Sequence, residues 1–415
     1  MESHEFIINE HMHNRLGECR NYTYELERLY GLTNEVFLLK ILDIKSGIVK
    51  ERCIFRKFGN FSVMSDMIDR TLESKIIKKL SDEALTPGII STDLKNYRFE
   101  VYIDDCFLIS NDYARTEKFI DNLMNIMVFY STLSYIYIYE INLNSGIPNL
   151  EMTIPELFLS DISSSKIQVV HNMFDLCMTK LIPKGKEKFE VFSKIFKDRF
   201  DSEEDLFSCL YKDLPHKSII NNFEKFSLYV KNFEEILLKV FPQDGLLALN
   251  HNDLHKLNIL TCEERGKIII LDHEFATLNL IGADFVNFLI EMNYDYSVKT
   301  FPFYDYTPEM IHLPYYHKLF LKFVDKFMEK QSHLNSNKFY NELSRKLEEI
   351  KTYEYFLKLV RFISLYWLIV CTIKINYDNF HHKQKFDYFK HAIDRIALFE
   401  ATCDSHVSAG DILNY

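Results

Sequence analysis

The sequence predicts an α+β fold in which a small, β-rich N-terminal part precedes a large, mainly helical C-terminal part. Short apolar segments separated by turn residues dominate the first hundred or so residues, around one prominent helix. After about Asp104 most segments show helical periodicity instead. The chain has 415 residues, of which 47% are hydrophobic, and this length favours two or three domains or two lobes. We therefore predict an N-terminal domain over residues 1–104 and a helical domain over residues 105–415.

The N-terminal part is predicted to contain a hairpin, a helix and a further strand, while the first 25 or so residues receive no assignment. Residues 35–58 form two apolar arms joined by Lys45-Ser46-Gly47, and such a break favours a hairpin. Apolar residues then recur near a 3.6-residue period from Met64 to Leu80, which predicts a helix. The segment YRFEVYI, residues 97–103, predicts the next strand.

The C-terminal part is predicted to be helical, with two short strands, Leu246 to Asn250 and Lys267 to Leu271. The stretch LIPKGK, residues 181–186, is predicted to be an exposed loop. The predicted helices are residues 118–139, 206–211, 221–241, 317–331, 338–371 and 387–401.

Charge narrows the classes of partner. The net charge is −11, from 49 Lys and Arg against 60 Asp and Glu. An acidic chain argues against nucleic acid or an anionic membrane as the partner and is compatible with a cationic substrate. Plain solubility is the favoured explanation of the same charge.

The cysteines and the apolar segments predict a cytoplasmic protein. No CxxC pair occurs, so free and mostly buried thiols are expected. The N-terminus lacks the basic start and apolar run of a signal peptide. Phe356 to Ile375 is the most apolar stretch, but its uncharged part, residues 362–373, is shorter than the roughly 20 residues that cross a bilayer, so we predict a buried helix and no transmembrane segment. The eight cysteines are Cys19, Cys53, Cys106, Cys177, Cys209, Cys262, Cys371 and Cys403.

The segment from Leu247 to Tyr296 carries the clearest chemical pattern. Asp253 follows a short apolar strand, Asn258 comes five residues later, and Asp272 ends the next apolar strand. A carboxylate in the loop can accept the proton of an attacking hydroxyl, while an amide oxygen and a second carboxylate suit Mg²⁺. This order and spacing predict a nucleotide-dependent phosphotransferase.

Each of these residues has a simpler interpretation when taken alone. Asp and Asn in loops usually cap turns and helices; it is the combination that favours phosphoryl transfer. His251 is predicted to hold the loop by packing and hydrogen bonding, and His255 and His273 lack a matching set of metal ligands. Asp284, at the start of a helix, is predicted to be a structural brace that accepts backbone N–H groups.

The residues HNDLHKLNIL, IIILDHEFA and GADFVNFLIEMNYDY resemble the choline/ethanolamine kinases, a family with a protein-kinase-like fold. Further resemblance lies in GLTNEVF, FRKFG, DRTLESKIIKKL and YRFEVYI upstream, and in FISLYW and FDYFKHAIDR downstream. It covers about residues 25 to 400 and is most specific over residues 250–296. The resemblance implies two lobes with ATP between them, Asp253 as the catalytic base, and Asn258 and Asp272 as Mg²⁺ ligands.

The resemblance also implies a set of nucleotide-binding residues. Gly31, Thr33 and Asn34 lie in what looks like the family's short phosphate-binding loop. Arg56 stands where protein kinases have a lysine, and its guanidinium suits phosphate oxygens. Glu73, on the predicted helix, is expected to pair with Arg56 and hold it in place; a plain surface glutamate is the alternative.

The acceptor pocket implied by the resemblance comprises Glu291, Tyr296, Trp367 and Tyr388. A quaternary ammonium group donates no hydrogen bond and is best held by aromatic faces and a carboxylate. Core packing is the usual fate of such aromatics, so their assignment to the pocket depends on the family match.

One departure from the family concerns this pocket. The family often carries two tryptophans three residues apart, and here Ser364 stands at the first position and Trp367 at the second. The missing wall could come from Tyr366 or Phe362. The resemblance implies ATP- and Mg²⁺-dependent phosphorylation of choline to phosphocholine, the first step of phosphatidylcholine synthesis.

The alternatives are an ethanolamine kinase with the same mechanism, a kinase for an aminoglycoside-like or sugar acceptor, and an inactive nucleotide-binding protein. Choline is preferred because EMNYDYSVKTFPF looks more like the choline branch. The oligomeric state is left open, a homodimer being common among similar proteins.

Overall fold

The structure is a computed structural model that divides into two compact units. The first unit comprises Met1–Leu108 and Ile259–Glu274, and the second comprises Ile109–Asn258 and Phe275–Tyr415. The division is therefore not one cut near residue 104, because the chain returns to the first unit after the predicted catalytic loop. The structure describes residues 4–17, 19–29, 34–58, 68–133, 137–142, 147–152, 172–200, 216–242, 244–262, 267–300, 302–332, 338–375 and 386–403.

The first unit is built on a five-stranded antiparallel sheet. The predicted hairpin is confirmed as Glu35–Asp43 and Val49–Lys57, with Phe37 opposite Phe55 in the register. Side chains from both strands alternate into a buried apolar cluster on one face. In spatial order the strands are Tyr22–Arg28, Glu35–Asp43, Val49–Lys57, Tyr97–Val101 and Ile89–Thr92.

The N-terminal residues, which the sequence left unassigned, form a helix and an edge strand of this unit. The helix His4–Leu16 buries Ile7, Ile8 and Met12 in the apolar cluster of the sheet. His11 is only 4% exposed, and its ring stacks on Phe99 with centroids 3.8 Å apart. The helix therefore completes the core of the first unit.

The helix predicted from Met64 begins at Arg70 and ends at Asp82 among the described residues. Asp69 is its N-cap, because its carboxylate accepts the N–H groups of Thr71 and Leu72. The periodicity identified the helix, and the capping residue fixes where it starts.

A second, three-stranded sheet joins the two chain segments of the first unit. Ile259–Cys262 pairs with Phe107–Leu108 on one side and with Lys267–Ile270 on the other. Cys106 and Cys262 form a disulfide beside this pairing. The expectation of free thiols throughout is therefore wrong for these two residues, because spacing in the sequence does not reveal contacts 156 residues apart. Free, buried thiols are confirmed at Cys53, Cys177 and Cys371.

The second unit is mainly helical, as predicted. Its four-stranded sheet runs in the order Thr277–Leu280, Asp244–Asn250, Tyr137–Asn142 and Ile147–Met152, and Tyr294–Asp295 pairs with Asp305–Tyr306. Its described helices are Asn111–Ala114, Glu117–Ser131, Met173–Leu176, Ile182–Phe200, His216–Lys231, Phe233–Val240, Ala283–Glu291, Leu313–Ser332, Lys338–Glu349, Tyr353–Lys374 and Tyr388–Ala401.

Two of the predicted helices are shorter than the periodicity suggested. The helix predicted to reach Tyr139 ends at Ser131, and residues 137–142 instead pair with the strand Asp244–Asn250. The long helix predicted over residues 338–371 is two helices, because Thr352 caps a new start by accepting the N–H of Tyr355. The predicted helix at residues 206–211 lies outside the described residues.

The loop predicted at residues 181–186 is helical instead. A π-helical turn, Cys177–Leu181, leads directly into the helix Ile182–Phe200. Leu181 and Ile182 are buried, so tertiary packing outweighs the Pro and Gly signals. Pro183 is the second residue of that helix and follows directly after the π-helical turn.

The apolar helix Tyr353–Lys374 is confirmed as a core helix. Among the described residues it is the one helix long and apolar enough to cross a bilayer, but 78% of its most apolar window is buried within the structure.

We predict that Gly282→Ala destabilises the second unit by about 2–4 kcal/mol, because a left-handed backbone and a steric overlap add together. Gly282 has a φ of +86°, and an added Cβ would lie 2.6 Å from Cε2 of Phe320. Gly47→Ala is the matched control, since Gly47 has a φ of +66° with nothing within 4 Å of an added Cβ. Urea unfolding measures both, and equal losses would exclude the overlap.

We predict that the first unit loses stability below about pH 6.5 through His11. Burial lowers the pKa of His11 from its ordinary value of 6.5. The unfolded chain therefore takes up a proton before the folded one does, and the free energy of unfolding falls as the pH drops from 6.5 to the folded pKa. Each unit of pKa difference is worth about 1.4 kcal/mol. His11→Phe keeps a ring against Phe99 and cannot be protonated.

The measurement is urea unfolding of both proteins at about pH 7.5 and about pH 5.5. The variant should lose less stability than the wild type on acidification. Identical losses would show that His11 does not set the acid sensitivity.

Candidate active site

A buried ion network holds the predicted phosphate-binding arginine in the first unit. The side chain of Arg98 is 1% exposed, and its guanidinium lies 2.9 Å from Oε1 of Glu73 and 2.6 Å from Oε1 of Glu100. Arg56 Nε lies 3.3 Å from the same Glu100 oxygen. Arg56 and Arg98 face each other across neighbouring strands, so Glu100 lies between two like charges and holds both in place.

The predicted pairing of Glu73 with Arg56 is wrong. Glu73 is bound by Arg98 and, through Oε2 at 2.8 Å, by Arg70 one turn earlier on its own helix. Arg70 also lies 3.2 Å from Glu274. Glu73 is 1% exposed, so the alternative of a plain surface glutamate is wrong as well. Glu73 therefore binds two arginines, one on the sheet and one on its own helix, and neither is Arg56.

Arg56 instead pairs with Asp272. Nη1 of Arg56 lies 3.2 Å from Oδ2 of Asp272, and Asp272 adopts a left-handed backbone with a φ of +62°. Burial alone would lower the pKa of Arg56, but the carboxylates of Asp272 and Glu100 outweigh it and raise that pKa. A permanent positive charge is thus fixed beside the predicted metal ligand.

Of the predicted nucleotide loop, Asn34 lies within the described residues and Gly31 and Thr33 lie outside them. Asn34 is buried, and its Nδ2 donates to Oε2 of Glu274 at 3.0 Å. This bond ties the end of the loop to the residue two positions after Asp272.

Asp284 braces the predicted catalytic loop in the second unit. Its two carboxylate oxygens accept the N–H groups of His251, at 2.5 Å, and Asn252, at 2.7 Å. Its own N–H donates to Oδ1 of Asn250 at 3.3 Å. Burial raises the pKa of Asp284 to about 7, against the two N–H bonds, which lower it. The predicted brace is confirmed.

Asp253 follows this braced segment, is hydrogen-bonded by Asn258 and lies near His255. Asn258 Nδ2 donates to the main-chain oxygen of Asp253 at 2.9 Å and lies 3.4 Å from its Oδ2. Nε2 of His255 lies 3.4 Å from Oδ1. The side chain of Asp253 is 16% exposed, so it is partly accessible. The structure therefore brings Asp253 and Asn258 together.

The loop is also secured by asparagines that the sequence analysis did not single out. Asn287 Nδ2 donates to the main-chain oxygen of Leu254 at 3.0 Å. Asn252, in a left-handed conformation with a φ of +64°, accepts a 2.8 Å bond from Asn279. The signal for Asn287 was available, since it is a polar residue in the middle of a mostly apolar helix, Ala283–Glu291.

The predicted acceptor residue Glu291 is bound by a buried arginine. Glu291 is 3% exposed, Nη2 of Arg395 contacts its Oε1, and the Tyr296 hydroxyl donates to its Oε2 at 2.6 Å. Burial alone would lower the pKa of Arg395, but Tyr294 and Glu291 raise it. The sequence analysis missed Arg395. Its signal was an arginine on the apolar stripe of an amphipathic helix, alongside Ala392.

The predicted aromatic residues gather around this ion pair. The Arg395 guanidinium lies 5.8 Å from the ring centroid of Trp367, whose Nε1 donates to Oδ1 of Asn287 at 2.8 Å. Phe386 lies between the rings of Tyr388 and Tyr296. Its ring centroid is 4.8 Å from that of Tyr388 and 6.1 Å from that of Tyr296.

Tyr366, rather than Phe362, lies beside Trp367. The Tyr366 and Trp367 ring centroids are 5.4 Å apart. Burial raises the pKa of the Tyr366 phenol, and the negative charge of Asp253 adds to this. Phe362 is 1% exposed and packs on Phe241. Ser364 is fully buried, so the helix turns this position into the core.

Lys256, in the loop, is a buried cation that was not predicted from the sequence. Its ammonium donates to Oδ1 of Asn111 at 2.5 Å and lies 3.5 Å from Asp295. Burial lowers the pKa of Lys256, and Asp295 partly offsets this. Lys256 thus links the loop to the segment that carries Tyr296.

We predict that Asp284→Asn loosens the braced loop. An amide keeps one acceptor oxygen and turns a donor toward the other N–H, which costs about 1–3 kcal/mol. The free energy of unfolding should fall, and the amides of His251 and Asn252 should exchange faster with deuterium. Asp305→Asn is the control, because Asp305 is exposed and accepts one N–H, from Tyr306. Slow exchange in Asp284→Asn would contradict the brace.

Comparisons with known proteins show which family the chain resembles. Residues 27–400 match the family described as choline/ethanolamine kinase. Over 86 residues the chain is 34% identical to probable choline kinase 2 from Arabidopsis thaliana, a match that covers 20% of this chain and 25% of that protein. The matched stretch thus spans about a quarter of that curated relative.

Two solved structures show the fold along nearly the whole chain. A choline kinase from Cryptosporidium parvum Iowa II has a TM-score of 0.53 at 17% identity and covers 96% of this chain and 95% of its own. An ethanolamine kinase from Plasmodium vivax has a TM-score of 0.52 at 14% identity, with 97% and 93% covered. The chain has a protein-kinase-like fold and belongs to the choline/ethanolamine kinase family.

Proposed function

We propose that this protein transfers the γ-phosphoryl group of ATP to the hydroxyl of choline, giving phosphocholine and ADP. The observation that carries the proposal is the loop of the second unit, where Asp253 is accessible on a backbone fixed by Asp284. The hydroxyl oxygen attacks the γ-phosphorus, the bond to the bridging oxygen of ADP breaks, and the hydroxyl proton passes to Asp253.

Asn258 and Asp272 are proposed to bind Mg²⁺. Their donors, an amide oxygen and a carboxylate, are the hard ligands that this ion prefers. The amide nitrogen of Asn258 donates a hydrogen bond to the main-chain oxygen of Asp253. The amide oxygen of Asn258 is therefore its proposed ligand atom. When bound, the ion neutralises charge on the phosphates.

The first unit is proposed to bind the nucleotide. Arg56 would contact ATP phosphates, since burial and two carboxylates fix its guanidinium. Glu73 supports this arrangement through Arg98 rather than by touching Arg56. The roles of Gly31, Thr33 and Asn34 rest on the family resemblance.

The acceptor is proposed to meet Tyr296, Trp367, Tyr388 and the Arg395–Glu291 pair. Aromatic faces attract a quaternary ammonium without requiring a hydrogen bond. Tyr366, whose ring lies beside that of Trp367, is proposed to supply the aromatic wall that is absent at position 364. We further propose a cytoplasmic protein that serves phosphatidylcholine synthesis.

Ethanolamine is the second candidate acceptor. Ser364 at the first of the two aromatic positions removes one cation–π surface, and Arg395 already neutralises Glu291. A primary ammonium can donate hydrogen bonds and depends less on aromatic faces.

The test offers choline and ethanolamine separately to the purified protein with ATP and Mg²⁺ and measures kcat/KM for each. We expect phosphorylation of both amines, with choline preferred. We also expect Asp253→Asn to lower kcat by at least ~10²-fold, because the variant keeps the shape of the loop but lacks the base that accepts the proton. Excess EDTA should abolish turnover.

A higher kcat/KM for ethanolamine would reverse the ranking of the acceptors. Retention of wild-type kcat by Asp253→Asn would refute its role as the base. Nucleotide binding without turnover of either amine would favour the inactive nucleotide-binding alternative.

A further inference from the structure

Arg395 places a positive charge of the chain itself at the proposed acceptor site. Its side chain is fully buried, and its Nη2 contacts Oε1 of Glu291. The hydroxyl of Tyr296 donates to the other carboxylate oxygen, Oε2, at 2.6 Å. Both oxygens of Glu291 are therefore bound by side chains of the protein. A cationic acceptor that is to be held by this carboxylate meets the guanidinium there.

The guanidinium of Arg395 also lies against two aromatic rings. Its central carbon is 4.7 Å from the ring centroid of Tyr294 and 5.8 Å from that of Trp367. Both distances lie within the roughly 6 Å over which an aromatic face attracts a cation. His391 packs on Tyr294 as well, with ring centroids 4.9 Å apart, but burial lowers the pKa of His391 well below its ordinary value. The cation on the face of Tyr294 is therefore Arg395.

Arg395 has few hydrogen-bond partners for a buried arginine. Its Nε and Nη1 have no partner within the described part of the chain. Arg98, which is similarly buried in the first unit, instead binds two carboxylates, those of Glu73 and Glu100. Because buried N–H groups without acceptors cost free energy, Arg395 is held less firmly than a fully bonded arginine. A competing cation has less to overcome at such a position.

Two lysines place positive charge on neighbouring rings. Nζ of Lys390 lies 4.6 Å from the ring centroid of Tyr304, and Nζ of Lys374 lies 5.6 Å from that of Tyr388. Several aromatic faces around the proposed acceptor site thus already contact a basic side chain. Arg395 differs from the two lysines in that it also contacts the predicted acceptor carboxylate.

We propose that Arg395 is a specificity-determining residue, which competes with the ammonium group of the acceptor for Glu291 and the adjacent rings and so limits the preference for choline over ethanolamine. This inference deepens the proposed function and rests on it. A quaternary ammonium is held by charge and aromatic faces, both of which Arg395 occupies. A primary ammonium can also donate hydrogen bonds to other acceptors. The competition therefore weakens the binding of choline more than that of ethanolamine.

Two substitutions separate the charge of Arg395 from its other contacts. Arg395→Lys keeps a cation beside Glu291 and the rings. Arg395→Gln removes the charge but keeps a side chain that can donate a hydrogen bond. Arg361→Gln is the matched control, because Arg361 also pairs with a glutamate, Glu354 at 3.2 Å, on the helix that carries Trp367.

The experiment measures KM and kcat for choline and for ethanolamine with ATP and Mg²⁺, together with the Kd of each amine by calorimetry. We expect Arg395→Gln to lower the Kd and KM for choline by about 10-fold and those for ethanolamine by less than about 3-fold. Arg395→Lys and Arg361→Gln should stay within about 3-fold of the wild type for both amines. The neutral analogue of choline in which a carbon atom replaces the nitrogen should gain less than about 3-fold in Arg395→Gln, because it carries no charge.

Melting temperatures show whether an acceptor cation can replace the arginine. Arg395→Gln leaves the carboxylate of Glu291 buried without a cation, which lowers stability. Choline should therefore raise the melting temperature of Arg395→Gln more than that of the wild type. A variant that folds neither with nor without choline would overturn the proposal, because the arginine would then be a structural requirement that no acceptor replaces.

An unchanged or higher Kd for choline in Arg395→Gln would also overturn the proposal, as would equal gains for choline and ethanolamine. An equal gain for the neutral analogue would attribute the effect to space rather than to charge and would have the same result. Failure of the proposed function is seen separately. If the wild type binds the amines but phosphorylates neither, the proposed function fails while the Kd values still test the competition. If the wild type is active and Arg395→Gln binds choline no more tightly, the failure concerns Arg395 alone.

Discussion

The loop around Asp253 depends on one buried carboxylate, that of Asp284, which accepts hydrogen bonds from two backbone N–H groups. Burying a charge costs several kcal/mol unless donors replace the lost water. Here both donors come from the backbone of His251 and Asn252, and the latter is in a left-handed conformation that turns its amide inward. The direction of the next residue, Asp253, follows from this geometry. The loop therefore owes its shape to an electrostatic contact rather than to apolar packing.

The first unit also contains buried charges that are stabilised by partners, and here more residues take part. Three arginines and four acids form one connected group of ion pairs, so that truncating one member would leave another charge buried and unpaired. The acids outnumber the arginines by one when all are ionised, and burial raises the pKa of Glu274 within the group. A further cation near Asp272 would therefore be electrostatically favoured. The members are Arg56, Arg70, Arg98, Glu73, Glu100, Asp272 and Glu274.

The sequence was most informative where local chemistry decides the outcome. The hairpin, most of the helices and the loop around Asp253 follow from periodicity, turn residues and spacing. The partners of Glu73 did not, because spacing in the sequence does not show which arginines lie near it in the fold. The helix at Leu181 and Ile182 was missed because burial overrides Pro and Gly signals, and the Cys106–Cys262 bond joins residues that are distant in the sequence.

Arg395 illustrates a second limit of prediction from the sequence. A helix pattern assigns a residue to a face, but it does not say whether a charge on that face has a partner. Its partner, Glu291, lies 104 residues earlier, and only the tertiary fold joins them. The predicted acceptor carboxylate is thereby changed from a free anion into half of an ion pair, which shifts the proposed recognition of the acceptor toward the surrounding rings.

The indole of Trp367 has a consequence beyond its place among those rings. It is the chain's single tryptophan, so any long-wavelength ultraviolet emission comes from one defined position. Its N–H is bound to Asn287, which also holds the main-chain oxygen of Leu254 beside Asp253. The charge of Arg395 lies 5.8 Å from its ring. The protein thus carries an intrinsic fluorophore coupled to both the loop and the ion pair, and its emission spectrum reports on their state without a label.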